Sequence, residues 1–317
     1  MKTSAATRPV DRESTIRELA EEYLRRHARA PYKRPSSVRN DRSMLKRIIL
    51  PRLGSLKVQD VVRRHIEDLR DSLGGTRYQA NRVLALLSCM FTLCEEWDGE
   101  VDSNRPPLRN PVRHVKRLQE DKCDRWLRRE ELKRLLGALN RQEDQASANA
   151  VRLIVLTGCR KGEALAAEWS EFDLAERIWT KPSHHVKNRT RHHVALNADA
   201  CLLLRRMKRR GKGQFLFPGR SGVRDCRSDL YRFWDEVRQE ARLPDVRIHD
   251  LRHTFASHLI SSGESLELVG ELLGHTDPRT TRRYAHLASA PLREVSNRFG
   301  KLYREAGGHR QAPGRKT

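Results

Sequence analysis

Residues 247–258 read Arg-Ile-His-Asp-Leu-Arg-His-Thr-Phe-Ala-Ser-His, and the rest of the chain is best read outward from them. Leu251, Phe255 and Leu259 are four apart, the period of one helical face. His249 and Arg252 are three apart, so a helix turns both side chains to one side. A guanidinium can clamp a phosphate in bidentate fashion, and an imidazole beside it can donate a hydrogen bond or move a proton. Alone, His-x-x-Arg is a common pair on solvated helix faces. Its surroundings give it weight.

The composition points to a polyanion. Of 317 residues, 64 are Lys or Arg against 41 Asp or Glu, a formal net charge of +23. A chain this basic gathers nucleic acid, whose neutralised phosphates release counterions, or less often an anionic membrane. Mean hydropathy is −0.77, and no apolar run reaches the length of a spanning helix. The opening Met-Lys-Thr-Ser-Ala-Ala-Thr-Arg-Pro-Val lacks the apolar segment of a signal peptide. A soluble chain, cytoplasmic and nucleoid-associated, is expected, with no membrane partner. Cys89, Cys94, Cys123, Cys159, Cys201 and Cys226 form no Cys-x-x-Cys pair and read as free thiols.

The length suggests two domains. Residues 1–10 read as a disordered lead-in and 11–98 as an all-α domain. Its helices are expected from Ser14 as cap, over 36–49, over 58–73 with Asp60 as cap, and over 78–97. Residues 99–124, with Gly99, Pro106, Pro107, Pro111 and many basic residues, read as a basic linker. A second domain, 125–305, opens on a helix and turns to short strands at 172–174, 178–180 and 193–196. Helices then return at 198–209, 227–242, 249–260, 266–273, 281–287 and about 292–303. Residues 306–317 read as a disordered tail. The fold class is mainly α with a small antiparallel β-sheet.

Four further segments fit around His249 and Arg252. Thr157-Gly158-Cys159-Arg160-Lys161-Gly162-Glu163 puts an Arg past a helix break, with Glu163 spaced to hold its guanidinium. Lys187-Asn188-Arg189-Thr190-Arg191 lies on a hairpin between two strands. Leu272-Leu273-Gly274-His275 ends a helix with a Gly stop and a His just beyond. Thr280-Thr281-Arg282-Arg283-Tyr284-Ala285-His286 puts a Tyr on a helix nine residues after His275. Each has an ordinary account by itself: a surface ion pair, a solvated turn, a partner for a helix dipole, a core tyrosine. His253, His258 and His286 read as helix packing or solvated faces.

In this order the segments resemble the tyrosine recombinase, or phage-type integrase, family. The phrases that carry the resemblance are Thr-Gly-x-Arg-x-x-Glu at 157–163, His-Asp-Leu-Arg-His-Thr-Phe-Ala at 249–256, Leu-Gly-His at 273–275 and Thr-x-x-Tyr-Ala-His at 281–286. They cover about residues 125–305; the all-α segment matches the family's core-binding domain by position and type only. The resemblance implies a two-domain DNA clamp that cuts and rejoins double-stranded DNA through a 3′-phosphotyrosine, with no metal, nucleotide or other cofactor, to integrate or excise a mobile element. It implies Tyr284 as nucleophile, Arg160, Arg252 and His275 as phosphate donors, and Glu163 orienting Arg160. His249 is implied as phosphate donor or as proton acceptor for the tyrosine.

Lys187 is implied as general acid, on the match of Lys-Asn-x5-Val-x-Leu to the family's hairpin, with Lys181 as the alternative on the same segment. The family further implies a homo-tetramer on synapsed DNA, a monomer when free, a C-terminal helix that docks on a neighbouring protomer, and an accessory directionality factor. Three other activities fit parts of the same residue pattern. They are a relaxing topoisomerase with the same residue set, a DNA-binding protein on the same scaffold without turnover, and a metal-dependent nuclease. The nuclease is disfavoured by the lack of acidic clusters.

Overall fold

The computed structural model describes residues 10–101, 106, 108–120, 124–182, 192–208, 213–219, 222–227 and 229–306. The chain divides into two units, Met1–Lys122 and Cys123–Thr317. The expected lead-in and tail fall almost wholly outside the described residues, as do Lys187 and the tip of its hairpin.

In the first unit α1 spans Ile16–Arg26. Its cap is Thr15, one residue later than expected. The Glu18 amide donates to Thr15 Oγ1 at 3.2 Å and the Thr15 amide donates to Glu18 Oε2 at 2.7 Å. Only this frame gives the reciprocal box, which satisfies two helix-start amides at once. Ser14 accepts from the Asp11 amide instead.

α2, Pro35–Met44, starts on Pro35, where the missing N–H is no loss. It runs through a π turn, Leu45–Ile49, into α3, Leu50–Leu53. Asp60 lies in a 3-10 turn ahead of α4, Arg63–Asp71, and does not cap it. α5 is the long Arg77–Val101 helix.

Ile16, Leu19 and Tyr23 of α1 share one core with Ile66 and Leu69 of α4 and Leu87, Met90 and Phe91 of α5. Part of the expected linker belongs to this unit: Val112 and Val115 are buried in the same core. Asn81 donates to the Leu118 carbonyl at 2.8 Å and accepts from its amide at 2.9 Å. Such side-chain amides satisfy an extended backbone that has no strand beside it.

The second unit begins with α6, Arg129–Arg141, α7, Gln145–Thr157, and the short α8, Lys161–Leu165. β1 (Phe172–Asp173), β2 (Ile178–Lys181) and β3 (His192–Ala195) form an antiparallel sheet in that order. Trp179 pairs with Phe172 on one side and Val194 on the other, and is fully buried. α9, Ala198–Lys208, follows.

Next come β4 (Pro218–Gly219) and β5 (Gly222–Cys226), a second antiparallel pair where no strand was expected. The helix there, α10, is the shorter Tyr231–Glu240. α11 (Ile248–Ser261), α12 (Leu266–Leu273), α13 (Pro278–Arg282) and α14 (Ser289–Glu305) complete the unit.

α11 joins two apolar clusters. Leu251 packs in the larger one with Val151, Ile154, Trp179 and Trp234. Ala256 and Ile260 pack in the smaller one with Val269, Leu273 and Tyr284. Yet the same helix buries Asp250, Arg252, His253, Thr254 and Ser257. Buried polar groups need partners, and a helix carrying five of them is organised around those partners. No described helix is long and apolar enough to cross a membrane.

Candidate active site

α7 ends at Gly158, which takes φ +63°. A Cβ there would lie 2.6 Å from the Phe255 ring and 2.7 Å from Leu273, so both the backbone and the space exclude other residues. Two residues on, Arg160 caps α8. Its amide donates to Glu163 Oε2 at 3.0 Å and its Nη1 to Glu163 Oε1 at 2.7 Å. From β2, Lys181 Nζ donates to Glu163 Oε2 at 2.6 Å and sits 4.5 Å from the Trp179 ring centre.

The Lys181 side chain is 2% exposed and that of Glu163 5%, whereas Arg160 keeps 36% of its surface in solvent. Burial opposes the Glu163 charge, but Lys181 and Arg160 outweigh it and hold the carboxyl down to about 2. Lys181, the alternative to Lys187, is therefore sealed against Glu163. Lys187 itself lies outside the described residues.

Arg252 is 3% exposed and reaches the ends of two helices. It donates through Nη1 to the Gly158 carbonyl at 2.8 Å and through Nη2 to the Leu273 carbonyl at 2.9 Å. Both carbonyls sit at negative helix termini, so α7 and α12 hold the cation as well as aim it. Burial, with Arg160 nearby, pulls Arg252 down to about 10, which leaves it charged at neutral pH.

α12 ends at Gly274, φ +67°, where a Cβ would meet the His192 ring at 2.7 Å. His275 follows, half-buried, with Nδ1 2.8 Å from Thr281 Oγ1. Burial, then Arg252 and Arg160, lower His275 to about 4, so its ring is neutral at pH 7. His249 is exposed on the first turn of α11. It opens with Arg160 into a groove lined also by Lys161, Tyr231, Arg238 and Arg247.

Tyr284 is not in a helix. It occupies the turn between α13 and a 3-10 segment, Ala285–Ala288, where its ring packs into the smaller cluster. It is 5% exposed, and its Oη lies 2.5 Å from His253 Nδ1. Burial raises the phenol, partly offset by Arg283 and Arg252. Burial, then His249 and Arg283, lower His253 to about 4.

His253 was expected as helix packing or on a solvated face; it is buried and is the hydrogen-bond partner of Tyr284. Its signal in the sequence was the four-residue step from His249, and the two rings meet edge to face at 5.0 Å. Arg160, Glu163, Arg252, His275 and Tyr284 are thus gathered in one part of the second unit, with His249 at the rim. Among the described residues, no group of three His, Cys, Asp or Glu side chains could hold a metal ion.

Two guanidiniums charged at neutral pH, a neutral imidazole and a phenol suit a pentavalent phosphorus centre with a tyrosine nucleophile. The chain resembles known integrases in sequence and in fold. The integrase of Salmonella phage P22 is 31% identical over 195 residues, 58% of this chain and 49% of that one. The chain therefore spans about half the length of that relative. The Tn1549 transposon integrase bound to transposon right-end DNA superposes with a TM-score of 0.72 at 18% identity, covering 90% of this chain and all of that one. The lambda integrase tetramer bound to a Holliday junction gives 0.69 at 16% identity, covering 86% and 78%. A profile of the phage integrase N-terminal SAM-like domain matches residues 15–74. That of the phage integrase family itself matches 125–290, more than half of the sequence, and the chain belongs to that family.

Proposed function

We propose that this protein is a site-specific DNA recombinase that integrates or excises a mobile element through a 3′-phosphotyrosine, without metal or nucleotide. Residues 11–98 bind the core site and 125–305 carry the chemistry. Tyr284 Oη attacks the scissile phosphorus while the bond to the 5′-oxygen breaks. The ester energy is kept in the protein–DNA bond, so a partner strand's 5′-hydroxyl can reverse the step on new DNA.

Arg160 and Arg252 neutralise the non-bridging oxygens, and His275 and His249 donate to them. Glu163 orients Arg160. Lys187 protonates the leaving 5′-oxygen; Lys181 does not compete for that role, since its ammonium is already paired. The observation that carries the reading is Arg252, a buried cation fixed by two helix termini beside Tyr284.

The protein acts as a tetramer on two synapsed duplexes, by analogy with the lambda integrase tetramer, and is a monomer when free. α14 supports this with exposed Phe299, Leu302 and Tyr303, an apolar set suited to a neighbouring protomer. The first unit supports DNA binding with exposed Arg39, Arg42, Lys46 and Arg47 along α2 and the π turn. An accessory factor sets direction, and the working location is the nucleoid in the cytoplasm.

The test is to incubate the protein with sheared DNA from its source in chelator, quench with detergent, capture covalent adducts and sequence their ends. Adducts piled at one locus are expected. Adducts spread along all DNA would replace this reading with a relaxing topoisomerase, and bound DNA without adducts would replace it with a binding protein.

A further inference from the structure

We infer that His253 is the proton acceptor for Tyr284 in strand cleavage, a role that rests on the recombinase reading above. His253 Nδ1 lies 2.5 Å from Tyr284 Oη, inside hydrogen-bond range for direct proton transfer. The pair is enclosed: His253 is 6% exposed and Tyr284 5%. Little solvent reaches the phenol, so its proton leaves by way of the partner it already has.

His249, on the same helix, is exposed and stacks its edge on His253, one turn from the groove. That position suits a donor to the phosphate and leaves the inner ring to take the proton. In the step itself, the Oη–phosphorus bond forms, the phosphorus–O5′ bond breaks, and the Oη proton passes to Nδ1. The proton on the leaving oxygen comes from the general acid. In the return step the imidazolium gives its proton back to the departing phenolate, and the 5′-hydroxyl of the incoming strand gives its proton to the general acid that cleavage left deprotonated.

The charged surroundings agree. His249, Arg247 and Asp250 face His253 from α11, and Arg283 and His286 from the segment that carries Tyr284. Asp124 lines the same narrow cleft from the start of the unit, and His275 lies within electrostatic reach. Burial and the cations keep the ring neutral, hence able to accept, at neutral pH. A docked phosphodiester adds negative charge beside it, which favours the imidazolium as the proton arrives.

The experiment uses the full chain and a duplex oligonucleotide spanning the breakpoint recovered by adduct sequencing. Sulfur replaces the scissile 5′-oxygen, so the leaving group needs no proton and only nucleophile activation is read. Cleavage is followed in single turnover, with binding measured in parallel for wild type, H253A, H253Q and Y284F. H253A is expected to bind as wild type does and to cleave roughly 10²–10⁴-fold more slowly, with added imidazole restoring part of the rate.

H253Q keeps an acceptor for the hydrogen bond but cannot take the proton. Its rate should therefore rise about tenfold per pH unit where the wild-type rate is flat. Wild-type cleavage in H253A, or a full rate with a flat pH profile in H253Q, overturns the assignment while leaving the recombinase reading intact. A wild-type protein that forms no adduct on this substrate overturns both.

Discussion

Lys181 Nζ lies 2.6 Å from Glu163 Oε2 with both side chains nearly sealed from solvent, and the other oxygen of that carboxylate holds Arg160. The chain Lys181–Glu163–Arg160 fixes a partly buried guanidinium through a buried carboxylate. Removing one partner of such a pair leaves an uncompensated charge and costs about 3–5 kcal/mol. K181M should therefore lower the denaturant midpoint strongly, and the K181M/E163Q double variant should recover much of the loss. A K181M protein with unchanged stability contradicts the coupling.

The same pair has an acid limit. Glu163 is held down to about 2, below the value near 4.3 that an unperturbed Glu has. A depressed carboxylate contributes stability that is full above its unfolded pKa and is lost as pH falls through the folded one. Wild-type stability should thus decline between about pH 4 and about pH 2, and in E163Q that part of the decline should be absent. Thermal melts across this window check it; superimposed wild-type and E163Q pH profiles would count against it.

Gly158 joins fold to chemistry, because its carbonyl accepts from Arg252 and its Cα faces Phe255 and Leu273. G158A adds a methyl with no room and forces an L-residue to φ +63°, for a loss of about 2–4 kcal/mol. G162A is the control. Nothing lies within 4 Å of the added carbon in α8, so stability should hold or rise slightly. Chemical denaturation of both variants checks the contrast, and equal losses would contradict it.

Arg252 spans two carbonyls on different helices, a fork that the single ammonium of Lys cannot reproduce. R252K should bind DNA within a few-fold of wild type and cleave about 10²–10³-fold more slowly. Single-turnover cleavage alongside band-shift titration measures the split. An equal fall in both would show that Arg252 serves binding instead.

Much of this was legible in the sequence because it is local. His249 and Arg252 share a face by helical spacing, Arg160 and Glu163 by a three-residue step, and Gly158 and Gly274 mark helix ends. What escaped is long-range. His253 meets Tyr284 across 31 residues, and its place on a helix allowed only helix packing or a solvated face to be read for it. Lys181 stood as the alternative general acid to Lys187, since nothing nearby in sequence reveals that Glu163 waits for it 18 residues away. Tyr284 was expected on a helix that stops at Arg282, and the β4–β5 pair is too short to show alternation. The start of α1 slipped by one residue because Ser14 and Thr15 are both competent caps and only Thr15 is three before Glu18.

With a net charge of +23, DNA affinity should depend steeply on salt. The logarithm of the binding constant should fall with a slope of about −0.9 per phosphate neutralised. Reversing Arg42 and Arg47 to Glu should flatten that slope as well as weaken binding, whereas Y284F should leave it unchanged. Titrations at several salt concentrations check both; a slope that does not change in the reversal variant removes those side chains from the interface.

On the proposed mechanism Tyr284 becomes covalently joined to DNA. The most direct measurement is to trap the adduct in chelator, digest protein and DNA, and locate the modified residue by mass spectrometry. A peptide containing Tyr284 that carries a nucleotide 3′-phosphate, absent from Y284F, is the predicted result. A nucleotide on any other residue, or an adduct that survives in Y284F, would contradict it.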